Sequence, residues 1–152
     1  MVIMSIDFGD ARTGLAVCDR TELIASPAGL IDRPGFKKVA AEAAARAGEV
    51  GAELIVVGDP VNMDGSAGPR SEKCRDFARE VEAVSGIKTV TWDERLTTVD
   101  AHEILSFSGL KQKKHKKHVD ELAAVLILES FLERRKAEKE KENQNSQGEE
   151  TE

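Results

Sequence analysis

The sequence predicts an α/β domain built on a mixed β-sheet, and the order of its segments indicates this fold class. Three strand-like segments, VIMSIDF, TGLAVCD and ELIASPAGLI, follow one another closely at the N-terminus, as is typical of an antiparallel meander. Helical and apolar strand-like segments then alternate, which predicts parallel strands joined by helical crossovers. With 152 residues, 40% of them apolar, and no internal repeat, we expect one domain.

Each element has its own sequence signal. Pro27 in the third strand predicts a sheet edge or a bulge. The predicted elements that follow are an alanine-rich helix (GFKKVAAEAAARAGEVG), a buried strand (AELIVVG), an amphipathic helix (SEKCRDFAREVEAV), a strand (IKTVTW) and a capped helix (TTVDAHEILSFSG). We expect the first strand to be central and ligands to gather beyond the carboxyl ends of the parallel strands.

The last predicted helix starts near Val119. Its apolar positions recur at helical spacing, and Asp120 lies on the same stripe, three and four residues before Ala123 and Ala124. The charged segment after it has almost no apolar residues, so we predict a domain over residues 1–137 and a disordered tail over residues 138–152.

Several classes of protein are disfavoured by the sequence. The longest apolar run, LAAVLILESFL, is too short to cross a bilayer, and Asp7 interrupts the segment that a signal peptide would need. We therefore expect a cytoplasmic protein that does not contact membranes. Cys18 and Cys74 lack metal-site spacing, so we predict free buried thiols.

The charge distribution favours a nucleic-acid partner more than the net charge does. The net charge is −6, yet the segment KQKKHKKH carries five lysines and two histidines in eight positions. A solvated loop is the alternative interpretation of this segment. Its lysines are Lys111, Lys113, Lys114, Lys116 and Lys117.

Three acidic residues stand at the ends of predicted elements. Asp7 ends the first strand, Glu94 follows the strand IKTVTW, and Asp120 lies in the first turn of the predicted last helix. If the first and last strands are neighbours, Asp7 and Glu94 emerge side by side and the helix brings Asp120 over them. Three close carboxylates repel one another unless cations neutralise them. Mg²⁺ suits such oxygen ligands, and two ions about 4 Å apart are typical of phosphodiester hydrolysis.

Each of these acids also has a structural interpretation. Asp120 could cap its helix, or its negative charge could interact favourably with the positive end of the helix dipole. Glu94 could pair with Arg95 or another base on the surface, and Asp7 could cap a turn through its own side chain.

Four motifs, in order, carry a family resemblance: DFGDARTGLAV, VVGDPVNMDGSAG, DERLTT and VDELAAVLIL. Together they resemble the YqgF family, which is similar to the RuvC Holliday junction resolvases of the RNase H-like superfamily. The resemblance runs from Ile6 to about Leu132. It implies an RNase H-like fold, with a five-stranded mixed sheet, three antiparallel strands first, two parallel strands after them and helices on both faces.

The resemblance also implies a function. Members of the family are described as metal-dependent nucleases that mature the 5′ end of pre-16S ribosomal RNA, and were earlier described as Holliday junction resolvases. By position, the resemblance assigns catalysis and metal binding to Asp7, Glu94 and Asp120, with two Mg²⁺ or Mn²⁺ ions as cofactors. By analogy with the superfamily, the products carry 5′-phosphate and 3′-hydroxyl ends.

The same resemblance indicates a nucleic-acid-binding surface. Arg12 matches the first motif, Asn62, Asp64, Gly65 and Ser66 match the loop after the fourth strand, and Arg95 and Thr97 follow Glu94. The lysine run matches a basic stretch before the last helix and would hold phosphates without selecting a sequence. Asp59 departs from the family, which often has a large apolar residue there, and places a negative charge near this predicted phosphate track.

Substrate and partners are expectations of the same kind. The sequence has no tyrosine, one tryptophan and five phenylalanines, so recognition of backbone shape is favoured over base stacking. We expect structured RNA, with branched DNA as the alternative, contact with ribosomal precursor particles, and a monomer or weak homodimer. Two further functions are alternatives to a nuclease. A catalytically silent nucleic-acid-binding module stays open, whereas an actin-like ATPase is disfavoured because no second lobe or P-loop is present.

Overall fold

The structure, a computed structural model, describes residues 1–97 and 112–150, with side chains for residues 1–97 and 121–145. The five strands are β1 (Ile3–Asp7), β2 (Thr13–Cys18), β3 (Ala25–Ile31), β4 (Leu54–Asp59) and β5 (Thr89–Asp93). The helices are α1 (Phe36–Val50), α2 (Pro69–Ser85), a 3-10 turn (Glu94–Leu96) and α3 (Gln112–Glu150). The predicted helix TTVDAHEILSFSG lies outside the described residues.

The predicted mixed sheet with a central first strand is confirmed. The strand order is β3-β2-β1-β4-β5. Strands β1, β2 and β3 are antiparallel neighbours, whereas β4 is parallel to β1 and β5 is parallel to β4. The carboxyl ends of β1, β4 and β5 therefore lie at one edge of the sheet.

The condition under which Asp7 and Glu94 would emerge side by side, neighbouring first and last strands, is not met, because β4 lies between β1 and β5. The hairpin fills one side of β1 with β2, so the crossover through α1 delivers β4 to the free side. The second crossover, through α2, then adds β5 to the outer edge of β4. Asp7 and Glu94 consequently emerge two strands apart.

The edge strand β3 has the irregularity that Pro27 predicted. The pairing of β2 with β3 passes from Leu15 opposite Gly29 to Ala16 opposite Pro27, so one extra residue bulges from β3. Proline lacks a backbone N–H, and an edge strand with a bulge tolerates that loss.

Helices cover both faces of the sheet, as predicted. One apolar cluster joins Ile6, Val57 and neighbouring strand residues to α1 and α2, and it includes the fully buried Phe77. The opposite cluster joins Ile3 and Val56 to the apolar stripe of α3, which consists of Ala124, Val125, Ile127, Leu128 and Leu132. Successive strand residues alternate between the two faces, as the two-residue period of a strand requires.

Two contacts fix α3 on the sheet. Near the middle of β1, the buried Ser5 hydroxyl donates to the carbonyl of Ala124 at 2.6 Å. Farther along the helix, Arg135 binds Glu22 at 2.6 Å, and Glu22 also binds the N-terminal ammonium of Met1 at 3.1 Å. The two contacts lie about 16 Å apart along the helix, and Met1 and Ser5 lie about 13 Å apart along the strand. The earlier helix contact, at Ala124, thus meets the later strand residue, Ser5, and the later helix contact, at Arg135, lies near Met1. Helix α3 therefore runs antiparallel to β1.

Helix α3 is longer at both ends than the sequence predicts. It begins at Gln112 rather than near Val119, because lysine and glutamine favour helix and the run contains no glycine or proline. It continues to Glu150, through the segment from residue 138 for which we predicted disorder. Ion pairs support this extension, among them Arg134 with Glu138 at 3.3 Å and Lys139 with Glu22 at 3.2 Å.

Cys18 and Cys74 are buried free thiols. Within residues 1–97 and 112–150, no helix combines the length and apolarity needed to cross a membrane.

Replacing Glu22 by glutamine tests the anchor of α3. Pairing, first with Arg135, lowers the pKa of Glu22 to about 2, so the ionised carboxylate stabilises the fold above the ordinary glutamate pKa. We expect Glu22→Gln to lose about 1–2 kcal/mol of unfolding free energy at pH 7. The difference from wild type should disappear as the pH falls toward 2. Urea denaturation at several pH values measures this loss.

Glu138→Gln is the matched control, because it breaks an exposed pair on the same helix. Such pairs contribute about 0.5 kcal/mol or less. Equal losses in the two variants would contradict the assigned role of Glu22.

Candidate active site

Asp7 ends β1 on the sheet face that α3 covers. It lies two residues after Ser5, whose hydroxyl contacts α3, so strand alternation puts both residues on that face. The turn that follows is tightly packed, because a Cβ on Gly9 would lie 2.2 Å from the carbonyl oxygen of Arg12. Phe8 stacks on Phe77 with ring centroids 4.0 Å apart. The position of Asp7 is thus fixed by the buried strand before it and by the packed turn after it.

Glu94 reaches the same face from the far side of β4. It begins the 3-10 turn directly after β5. A Cβ on Gly58 of β4 would lie 2.6 Å from Glu94 Oε1 and 2.7 Å from Ile127 Cδ1. The missing side chain of Gly58 therefore leaves the space in which the Glu94 carboxylate lies over β4 and beneath α3.

The segment that carries Glu94 is tied to α3 by side chains. The indole N–H of Trp92 donates to Ser130 Oγ at 3.1 Å, and this hydroxyl donates to the carbonyl of Leu96 at 3.1 Å. Trp92 also packs edge-on against Phe131, with ring centroids 5.4 Å apart. Glu94 is held between these contacts, so its backbone position is fixed relative to the helix.

The electrostatics of this region favour the arrival of positive charge. Burial raises the pKa of Glu94, and the charges of Asp59 and Asp93 raise it further, against the opposing charge of Arg70. Burial likewise raises the pKa of the Cys74 thiol to about 11, and Glu94 and Asp7 both add to this shift. Both carboxylates therefore act on a common neighbour, Cys74, and burial disfavours the ionised form of Glu94 unless a positive charge lies nearby.

Arg70 is a basic residue of this region that the sequence did not single out. Its guanidinium donates to the carbonyl of Phe8 at 2.6 Å and to Asp10 Oδ1 at 2.8 Å. Pro69 marks the start of α2 in the sequence, and topology places that start near the carboxyl edge of the sheet. Those two signals together could have identified Arg70.

Asp59 is neutralised within the fold. Its side chain is 4% exposed, accepts a hydrogen bond from Ser71 and pairs with Arg75 Nε at 2.8 Å. Strand alternation puts it with Val57, on the face of α1 and α2. The negative charge that the sequence places near the predicted phosphate track is therefore compensated, because α2 supplies its partners.

The loop after β4 is closed by its own polar groups. Asn62 Nδ2 donates to Ser66 Oγ at 3.0 Å, and Ser66 Oγ donates to Asp64 Oδ1 at 2.6 Å. Arg95 pairs with Asp93 at 2.7 Å and donates to the carbonyl of Met63 at 3.2 Å. These contacts hold the loop beside Glu94. The alternative in which Arg95 pairs with Glu94 does not hold, since Asp93 accepts from its guanidinium. The predicted contact of Asn62, Ser66 and Arg95 with nucleic acid stays a prediction.

Asp120 lies eight residues after the start of α3. Its interpretation as a helix cap is therefore excluded. The side chains of Asp120 and of the lysines from Lys113 to Lys117 lie outside the described residues, as does all of Lys111.

The described donors fit a hard cation without completing its site. Asp7 and Glu94 offer carboxylate oxygens, the ligands that Mg²⁺ prefers. Among the side chains of residues 1–97 and 121–145, no group of three potential ligands is assembled. The third predicted ligand, Asp120, is not among those residues.

The sequence of this chain matches a known family over most of its length. The matching family model, RuvX, is described as Holliday junction resolvase and covers residues 1–134. The chain belongs to the RuvX family. A relative from Syntrophus aciditrophicus, named "Putative pre-16S rRNA nuclease", is 41% identical over 88% of this chain and 89% of its own length. One from Carboxydothermus hydrogenoformans with the same name is 40% identical over 87% and 96%.

Solved structures show the same fold at low identity. RuvC of Thermus thermophilus in complex with a Holliday junction substrate has a TM-score of 0.58, with 14% identity over 90% of this chain and 96% of that one. The fowlpox virus resolvase with substrate Holliday junction DNA has a TM-score of 0.56, with 15% identity over 88% and 98%. The predicted RNase H-like fold and membership of a nuclease family are confirmed.

Gly58→Ala tests the space that Glu94 occupies. The added methyl group would displace the carboxylate and Ile127, so we expect a loss of about 1–3 kcal/mol of unfolding free energy. We also expect nuclease activity to fall by more than the loss of folded protein explains.

Gly48→Ala is its control, because a Cβ there in α1 meets nothing within 4 Å. It should stabilise the protein by about 0.5–1 kcal/mol and leave activity unchanged. Full activity in Gly58→Ala would show that Glu94 does not need this space.

Glu94→Gln tests the cost of ionising Glu94. A raised pKa means that the folded state prefers the protonated acid, so ionisation destabilises the metal-free protein above the ordinary glutamate pKa. In chelator, we expect Glu94→Gln to raise the unfolding temperature at pH 7 and to match wild type near pH 4. The exposed Glu49→Gln is the control, and a lower unfolding temperature for Glu94→Gln at pH 7 would contradict the assignment.

Proposed function

We propose that this protein is a metal-dependent endonuclease that processes the 5′ end of pre-16S ribosomal RNA in the cytoplasm. Its proposed active site consists of Asp7, Glu94 and Asp120. The observation that carries the proposal is the glycine at position 58. It leaves room for the Glu94 carboxylate to reach across β4, toward the strand that ends in Asp7.

The direction of α3 supports Asp120 as the third acid. Ala124 lies over Ser5, and the helix runs antiparallel to β1. Position 120 lies about 6 Å back along the helix from Ala124. Asp7 lies about 7 Å farther along the strand from Ser5. The two steps have the same direction and nearly the same length, so the helix backbone at position 120 is carried toward the end of β1.

The proposed chemistry follows from the residue types. Asp7, Glu94 and Asp120 would hold two divalent cations, Mg²⁺ or Mn²⁺, through their carboxylate oxygens. Such cations activate a water molecule and stabilise the leaving oxygen of a phosphodiester. The raised pKa of Glu94 makes its carboxylate a ready acceptor for positive charge or for a proton of the attacking water. Apolar α3 residues such as Ile127 limit the access of other water to this carboxylate.

The surrounding surface holds the substrate in this proposal. Arg12, Asn62, Ser66 and Arg95 line the edge at which the nucleic-acid backbone would lie. Lysines 111, 113, 114, 116 and 117 precede Asp120 by three to nine residues and would add phosphate contacts. The names of the relatives support ribosomal precursor RNA as substrate, and precursor particles are the proposed partner.

A cleavage panel tests the proposal. The substrates are single-stranded RNA, a pre-16S RNA with its 5′ extension and a four-way DNA junction, each with Mg²⁺, Mn²⁺ or chelator. We expect cleavage of the precursor RNA that needs either cation. Removing a group that stabilises the transition state typically costs 100-fold or more. Asp7→Asn, Glu94→Gln and Asp120→Asn should therefore each lose about 100-fold in rate.

Asp76→Asn is the control, because it removes an exposed carboxylate of α2 that pairs with Arg79, and it should cleave as wild type does. Preference for the junction would favour a resolvase. Binding of RNA without any cleavage would favour a catalytically silent module. Activity that survives both chelator and Asp7→Asn would overturn the metal-carboxylate site.

A further inference from the structure

We propose that Arg70 and Lys73 form a binding site for one backbone phosphate of a nucleic acid, and that Asp10 occupies this site in the free protein. The inference rests on the proposed nuclease function, since it names where the substrate backbone lies beside that active site. Neither residue belongs to the basic surface that the sequence predicts.

Three side chains make up the site. One carboxylate oxygen, Asp10 Oδ1, accepts from Arg70 NH1 at 2.8 Å and from Lys73 Nζ at 3.0 Å. Two cations three positions apart in α2, and so on the same side of the helix, thus converge on a single anionic oxygen. Phosphate offers the same kind of oxygen to the same donors, and arginine and lysine are its usual partners.

The two cations are pre-positioned. Arg70 NH2 is fixed by the carbonyl of Phe8 at 2.6 Å, and Lys73 Nζ lies 5.7 Å from the centroid of the Phe8 ring. Phe8 itself is buried and stacked on Phe77. The cations therefore keep their positions when the carboxylate leaves, which lowers the entropic cost of binding a phosphate.

The carboxylate, in contrast, can leave easily. The Asp10 side chain is 73% exposed, against 41% for Arg70 and 48% for Lys73. Hydrogen bonding by Lys73, with the charge of Arg70, lowers the pKa of Asp10, so it is ionised at neutral pH. An exposed ion pair of this kind contributes little stability, and a phosphate can replace it.

The location fits a substrate strand at the proposed active site. Asp10 lies three residues after Asp7, and Arg70 contacts the carbonyl of Phe8, which directly follows Asp7. The charge of Arg70 also lowers the pKa of Glu94 against the effect of burial. A phosphate bound here lies beside the carboxylates, in a position to align the neighbouring phosphodiester.

RNA binding by charge variants tests this site. Each variant is made in an Asp7→Asn background with Mg²⁺ present, and binding of a fluorescent RNA hairpin with a 5′ single-stranded extension is measured at several salt concentrations. Removing Asp10 frees the site, so Asp10→Asn should tighten binding about two- to fivefold. Lys73→Gln should weaken binding about two- to fivefold and reduce the salt slope by about one.

Matched controls remove the same charges elsewhere. Asp76→Asn removes an exposed, paired carboxylate of α2, and Lys88→Gln removes an exposed lysine at the start of β5, at the opposite edge of the sheet. Both should change affinity by less than about twofold.

The outcomes separate this inference from the function on which it rests. If Asp10→Asn and Lys73→Gln bind RNA with the affinities of their controls, the phosphate site is overturned and the proposed nuclease function is not. Weaker binding by Asp10→Asn also overturns it, because Asp10 would then only support the turn. Cleavage by the Asp7→Asn parent contradicts the proposed catalytic site and leaves the binding comparison valid. A parent that does not bind RNA overturns both.

Discussion

The packing of α3 across the sheet is the constraint on which the candidate site depends. One buried hydrogen bond, from Ser5 to the carbonyl of Ala124, sets the helix over the central strand. The cluster of Met1, Arg135 and Lys139 around Glu22 sets its direction at the other end. With both ends defined, Ile127 lies over Gly58 and Ser130 lies beside Trp92. These contacts bring the segment that carries Glu94 beneath the helix.

The same packing explains how acids from separated strands can act together. Strand β4 keeps β1 and β5 apart, and a side chain at position 58 would close the space between them. Glycine removes that obstacle at the cost of weaker strand propensity. The burial that results raises the pKa of Glu94. The stability of the fold and the proposed cation site would therefore conflict at Glu94, as is common at functional sites.

Local patterns predicted most of the fold, whereas long-range pairing decided the rest. Alternating and apolar segments identified all five strands, and Pro27 identified the edge. The sequence left the neighbours of β1 open, because strand order depends on which edge of the sheet is free when each crossover adds its strand. The start of α3 was predicted too late, because its lysine-rich first turns have no apolar stripe. Arg70 and the partners of Asp59 lay on α2, and no short motif connects them to the strands that they contact.

The central claim is that Asp7, Glu94 and Asp120 bind divalent cations together, and anomalous scattering from Mn²⁺ tests it most directly. A crystal of the wild-type protein grown with Mn²⁺ should show anomalous peaks beyond the ends of β1 and β5. Carboxylate oxygens of all three residues should lie about 2.1 Å from a peak. Peaks elsewhere, with none within reach of Asp7 and Glu94, would contradict the account.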